Sequence, residues 1–327
     1  MKETEKTEFP EVLDNTIISK FRECPHSCNI TYFQHMKSPF PNVHLHAGGC
    51  FASAIEAGRI AFYREGLSES AAVAISLEKM YEAWGEPDQF ASETKNLDRM
   101  MGALQFYWEN YPLSSDKLKP YTFSGGTKGI EFSFAEPLEV LHPVTGHPIL
   151  YSGRSDMVAE GYGGIYVVDE KTTSSLGAQW SRQWELRSQF TGYVWALSRI
   201  GVKSNGIIVR GVSILKTKYD TLEALTYRSG ADIAKWYEQT NRTVRAMIKA
   251  WEEGYWDYNF GDACTNYGGC GLKEVCKSED EDEMIKALLV KKVWDPLTRT
   301  ESKGTGFFTE EEAARLKHEF GLSFRKG

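Results

Sequence analysis

The sequence predicts an α/β fold: a central mixed β-sheet flanked by helices, with a helical insertion ahead of the sheet. Three observations point there. Two apolar runs, one ending at Gly153-Arg154-Ser155-Asp156-Met157-Val158 and one reading Val167-Val168-Asp169-Glu170-Lys171-Thr172-Thr173, flank the turn sequence Gly161-Tyr162-Gly163-Gly164. Such a turn between such runs folds them into a β-hairpin. Ahead of them, residues 69–84 and 95–110 carry apolar positions at helical spacing: Ala72, Ile75, Met80 and Trp84, then Leu97, Met100, Leu104, Tyr107 and Trp108. Behind them, residues 231–253 form a long amphipathic pattern through Ile233, Trp236, Val244, Met247 and Trp251.

Taken in order, residues 1–14 are polar and are expected to be loose. A helix is expected at 16–36, with Pro25 disturbing its middle or marking its true start. Residues 47–65 read as a second helix, small on one side (Gly48, Gly49, Ala52, Ala54, Ala57), which permits close packing. The two helices that follow make an inserted lobe at about 66–120. Strands are expected near 130–140, 148–159 and 165–172, a helix at 178–200 and a closing strand at 206–216. Gly254 is a stop signal for the long helix. Short helices near 281–290 and 309–319 end the chain, in a tail (278–327) with no functional reading.

The 41% hydrophobic and 25% charged content are those of a globular protein, and 327 residues can bury a substantial core. No apolar run is long enough to span a membrane, and the start, Met1-Lys2-Glu3-Thr4-Glu5-Lys6, lacks the apolar centre of a signal peptide. A cytoplasmic protein with no membrane partner is the expectation. The formal charge of −7 runs against a bulk nucleic-acid binder. Much of the acid, however, lies in Glu279-Asp280-Glu281-Asp282-Glu283, while Arg182, Arg187, Arg199, Lys203, Arg210, Lys216 and Lys218 follow the Asp-x-Lys strand. Binding confined to a groove fits both facts.

Side chains alternate across a strand, so Asp169 and Lys171 share one face and Glu170 takes the other. Hairpin pairing can bring Asp156 beside them. Two carboxylates and an ammonium then converge, which suits a divalent metal next to a positive charge, chemistry for cutting a phosphodiester. Asp is depleted in strands, and a buried acid requires a partner: a metal or an ion pair.

These residues resemble the PD-(D/E)XK nuclease superfamily, in its RecB-like branch. Asp156 matches the first acid of the motif, Asp169 the second and Lys171 the lysine. Gln189 and Tyr193 match the branch's Gln-x-x-x-Tyr; a spacing of four puts both on one helix face. Gly49 to Glu56 resembles the branch's first helix, with Ser53 at the position of a ligand histidine and Glu56 keeping the acidic one. Ser19-Lys20-Phe21-Arg22-Glu23-Cys24-Pro25 is similar to the Cys-Pro start of the iron–sulfur nucleases of this branch. The likeness covers roughly residues 15–277.

The resemblance implies a restriction-endonuclease-like core and a Mg²⁺- or Mn²⁺-dependent DNA nuclease, of exonuclease type, working with recombination or replication proteins as in phage and bacterial genomes. It implies Asp156, Asp169 and the backbone carbonyl of Glu170 as metal ligands, with Glu56 holding an outer ion. Lys171 then orients the attacking water and supports developing charge, and Gln189 and Tyr193 fix the geometry around it.

Six cysteines in a cytoplasmic protein argue against disulfides. Cys264, Cys270 and Cys276 are spaced with five residues between neighbours. Together with Cys24 they match, in the resemblance, the ligands of a [4Fe-4S] cluster. The related nucleases carry a tighter gap before the last five-residue one, so the ligand order departs from theirs. Structural Zn²⁺ is the alternative, Cys28 competes with Cys24, and Cys50 reads as a small buried hydrophobe. Other functional readings are a non-catalytic adaptor of the same fold, supported by the missing histidine, and a CRISPR-type spacer-processing nuclease. Strand polarity, DNA against RNA, and oligomeric state stay open.

Overall fold

The structure, a computed structural model, describes residues 7–38, 42–265 and 269–301. The elements in chain order are β1 (Val12–Asp14), α1 (Asn15–Glu23), α2 (Pro25–Cys28), β2 (Met36–Lys37), α3 (Val43–Tyr63), α4 (Glu69–Trp84) and α5 (Leu97–Asn110). Then come β3 (Lys119–Pro120), β4 (Ile130–Leu141), β5 (Pro148–Gly161), β6 (Gly164–Thr173), α6 (Ala178–Arg182), α7 (Ser188–Arg199), β7 (Gly206–Ile214) and β8 (Tyr219–Thr226). Last among the described residues are α8 (Gly230–Glu253), α9 (Asp262–Thr265), α10 (Lys273–Cys276), α11 (Glu281–Leu288), β9 (Val290–Lys291), β10 (Trp294–Asp295) and β11 (Thr300–Glu301). The chain divides into two compact units: Pro41–Phe132 with Arg154–Ile233, and Met1–Phe40 with Ser133–Gly153 and Ala234–Gly327.

The unit containing Arg154–Ile233 holds the hairpin. β5 and β6 are antiparallel, from Met157 opposite Val168 to Gly161 opposite Gly164. Tyr162 and Gly163 form the two-residue turn with φ of +48° and +76°, the pair of left-handed conformations that suits the twist of a tight hairpin. β6 runs parallel to β7, after the α6–α7 crossover, and β7 is antiparallel to β8, so the sheet is mixed. α3, α4 and α5 pack through Phe51, Ile55, Met80, Trp84, Met100, Leu104 and Tyr107, and Val212 and Ile214 of β7 join that core. The expected inserted lobe is therefore a bundle packed on the sheet. Strand β8 was not expected; its alternation of exposed and half-buried residues is that of an edge strand, rich in polar side chains.

The helix expected at 178–200 is broken. Arg228 donates from Nη2 to the Trp184 carbonyl at 2.8 Å and from Nε to Thr191 Oγ1 at 2.7 Å. That guanidinium satisfies a carbonyl in the turn between α6 and α7, where a continuous helix would have used it internally.

In the other unit, β1 pairs in parallel with the start of β5, Leu13 opposite Tyr151. Phe9, Val12 and Leu13 are buried, so the described part of 1–14 contributes to the core. Its polarity hid three well-spaced apolar residues. The helix expected at 16–36 stops at Cys24, whose φ of −161° is extended. Pro25 is the cause: the residue before a proline is pushed out of the helical region, and the proline starts α2 instead. The first part of the tail also packs. Ile285 and Leu289 meet Ile30, Leu272 and Val275, and β9 pairs with β2. The helix expected at 309–319 lies outside the described residues.

Candidate active site and cysteine cavity

Antiparallel pairing of β5 and β6 sets Asp156 and Asp169 at the same level of the hairpin. Asp169 is 1% exposed and its carboxylate is ion-paired with the Lys171 ammonium, two residues along the same face of β6. Asp156 Oδ2 accepts a 2.8 Å hydrogen bond from the backbone N–H of Glu170. Burial, then the negative charges of Asp169 and Glu170, pushes the Asp156 carboxyl up to about 8 against the attraction of Lys171. Burial and two neighbouring carboxylates thus both work against ionisation of Asp156 in the metal-free site. Burial pulls the Lys171 ammonium down, but Asp169 and Asp156 outweigh it and hold the group above its ordinary value. Lys171 is thus a fixed positive charge rather than a base at neutral pH.

Helix α7 packs on β6 and β7 with Tyr193 buried. Gln189 Nε2 donates to the Tyr193 hydroxyl at 2.7 Å, and Tyr193 interacts electrostatically with Lys171. The pair four residues apart therefore acts as one unit beside the lysine.

Glu170 faces the other way, as strand alternation requires. Arg59 of α3 grips both its oxygens, with Nη1 at 3.1 Å from Oε2, and the Tyr107 hydroxyl donates to Oε1 at 3.0 Å. Arg59 and Glu170 are buried. Burial alone would raise the Glu170 carboxyl; Arg59 outweighs it and leaves the group lowered. This network anchors the peptide whose N–H holds Asp156. Nothing in the local sequence marks Arg59 or Tyr107 as its partners, since both lie far from residue 170.

Glu56 lies on α3, 3.9 Å from Arg154, and Arg154 Nε is 2.6 Å from Glu131. Glu131, an acid that sequence reasoning missed, interacts electrostatically with Asp156 and Glu56. Its signal is only visible in the backbone, a φ of +53° at a residue other than glycine. Among the basic residues following β6, Arg210 is 1% exposed and ion-paired with Asp116 and Glu223. It stabilises the sheet and does not offer charge to a groove.

In the other unit, Cys24, Cys264, Cys270 and Cys276 line one cavity of about 340 Å³. The extended Cys24, ahead of α2, brings its thiol to the lining. Burial, then Glu281 and the other three thiols, pushes the Cys276 thiol up to about 11. A cation bound there would offset the charge left when the Cys276 thiol loses its proton. Cys28 is fully buried and donates to the Ile17 carbonyl at 3.6 Å. Cys50 is buried in the unit that holds the hairpin, beside His46. Neither lines the cavity. At its edge, ligand atoms of His26, Cys276 and Glu281 lie within 4.8 Å of one another.

The profile of the PD-(D/E)XK nuclease superfamily matches residues 16–277. The chain belongs to that superfamily. Among solved structures, a protein of Eubacterium rectale named provisionally as an exonuclease is similar, at 9% identity over 82% of this chain and 94% of its own, with a TM-score of 0.47. The protein SSO0001 is similar at 12% identity over 61% of this chain and 74% of its own, with a TM-score of 0.27. No curated protein matches the chain. Among the described residues no helix is long and apolar enough to cross a membrane.

Proposed function

We propose that the protein is a divalent-metal-dependent deoxyribonuclease that hydrolyses phosphodiester bonds, of exonuclease type, acting in DNA recombination or replication. The observation that carries this reading is the convergence of Asp156, Asp169 and Lys171 around the anchored Glu170 peptide. Asp156, Asp169 and the Glu170 carbonyl would hold Mg²⁺ or Mn²⁺, an oxygen ligand set that suits these ions. The ion supplies water activation and neutralises charge on the phosphoryl oxygens. Lys171, kept charged by Asp169, steadies the negative charge that develops there. Tyr193 and Gln189 fix the lysine's position.

The four cavity thiols would hold a [4Fe-4S] cluster that staples the segment around Cys24 to the segment 264–276. Structural Zn²⁺ is the second reading, favoured by the nitrogen and carboxylate of His26 and Glu281 beside Cys276.

The test is incubation of purified protein with end-labelled linear and closed circular DNA in Mg²⁺ or Mn²⁺. Release of mononucleotides from linear DNA alone supports the exonuclease reading. Cutting of the circle points to an endonuclease, and binding without cleavage points to an adaptor.

A further inference from the structure

The cavity lined by Cys24, Cys264, Cys270 and Cys276 is also lined by Ser27. This serine is 3% exposed, and its Oγ has no hydrogen-bond partner among the described residues. A hydroxyl brings one donor and two acceptor sites. Buried without a partner it is costly, and buried hydroxyls are in large majority satisfied. A serine in a helical turn often bonds back to a carbonyl one turn earlier. Ser27 does not. The Glu23 carbonyl accepts from Asn259 Nδ2 at 2.6 Å, and the Cys24 carbonyl accepts from the backbone N–H of Cys28 at 3.0 Å.

Position says where that donor can be used. Cys24 caps the single turn α2, and Ser27 is its third helical residue. Side chains at the cap and at the third position are neighbours at the start of a helix. The rest of the turn is engaged elsewhere: the His26 ring stacks on Tyr258 with centroids 4.0 Å apart, and the Cys28 thiol donates to the Ile17 carbonyl. The four thiols of the lining become sulfur acceptors once a metal takes the place of their protons. A group with sulfur on its surface therefore fits the unsatisfied hydroxyl.

We propose that the Ser27 hydroxyl donates a hydrogen bond to a sulfur of the iron–sulfur group held by the four thiols, and so raises its reduction potential. Ser27 is a positioning residue, not a ligand. A donor at sulfur favours the more negative, reduced state. This deepens the cluster reading above and rests on it.

Redox titration of the anaerobically purified, iron-loaded protein, followed by visible absorption, tests it. Ser27→Ala should shift the one-electron equilibrium toward the oxidised form about tenfold, or about 59 mV. Ser27→Thr keeps the hydroxyl and should stay close to the unsubstituted protein. A brown Ser27→Ala protein with an unchanged potential overturns the inference and leaves the cluster reading standing. A threonine variant shifted as far as the alanine one assigns the effect to packing and also overturns it. Protein that carries zinc and no sulfide overturns both. Should Ser27→Ala fail to load, the unsubstituted protein decides. Transfer to D₂O should move its iron–sulfur stretching bands in resonance Raman, and bands indifferent to deuterium rule the donor out.

Discussion

The backbone N–H of Glu170 holds Asp156 at 2.8 Å, while the Glu170 side chain is gripped by Arg59 on the opposite face of the strand. One residue thus joins a buried helix-to-sheet ion pair to the carboxylate proposed as the central metal ligand. The buried ion pair thus holds the peptide from which that carboxylate accepts.

Removing that anchor should damage stability more than removing any one exposed charge. Arg59→Met leaves the buried Glu170 carboxylate uncompensated and is expected to cost about 3–5 kcal/mol. Tyr107→Phe removes one hydrogen bond to the same oxygen, about 1 kcal/mol. Denaturant unfolding of the two variants measures both. Equal small losses would contradict the network.

At the site itself, Asp156→Asn and Asp169→Asn should weaken Mn²⁺ binding and abolish most cleavage while the protein stays folded. Lys171→Met should keep the metal and lose cleavage by about 10²–10³-fold, the scale of one lost stabilising group. Calorimetric metal titration beside a cleavage assay separates the two behaviours. Full activity in Asp169→Asn would remove the proposed site.

Metal-free stability should fall as pH rises toward 8. Burial and the neighbouring acids raise the Asp156 carboxyl to about 8, whereas in the unfolded chain an aspartate loses its proton near about pH 4. Between those values the folded form binds the extra proton, so the stability it contributes is complete at low pH and is lost as pH climbs through the folded value. With chelator present, the Tm should therefore drop between pH 5 and pH 8. Mg²⁺ favours the ionised carboxylate and should restore the Tm most at pH 8. The slope belonging to this group should vanish in Asp156→Asn; an unchanged slope there would assign it to other residues.

Anaerobically purified protein should be brown, with iron and sulfide in near-equal amounts. Cys24→Ser should bleach it and lower its stability. Cys28→Ser and Cys50→Ser should not, because those thiols do not line the cavity. Stoichiometric zinc without sulfide, lost on His26→Ala, would favour the zinc reading instead.

The hairpin and the facing of its charged residues were legible in the sequence because both are local. A two-residue turn with a glycine fixes the register, and strand alternation then decides that Asp169 and Lys171 share a face and Glu170 does not. Helical spacing likewise marked α3, α4, α5 and α8, and Pro25 signalled the break that leaves Cys24 outside a helix. The partners of the charges were not legible. Arg59 and Glu170 are far apart in sequence, Glu131 carries no motif, and Arg210 reads as a surface base until Asp116 and Glu223 close around it. Ion partners are chosen by which elements pack together, and burial then makes the pairing obligatory. The same holds for the cavity of Cys24 with Cys264, Cys270 and Cys276, which only long-range packing could assemble, and for β1 and β8, whose short or polar patterns become strands because a neighbouring strand supplies the hydrogen bonds.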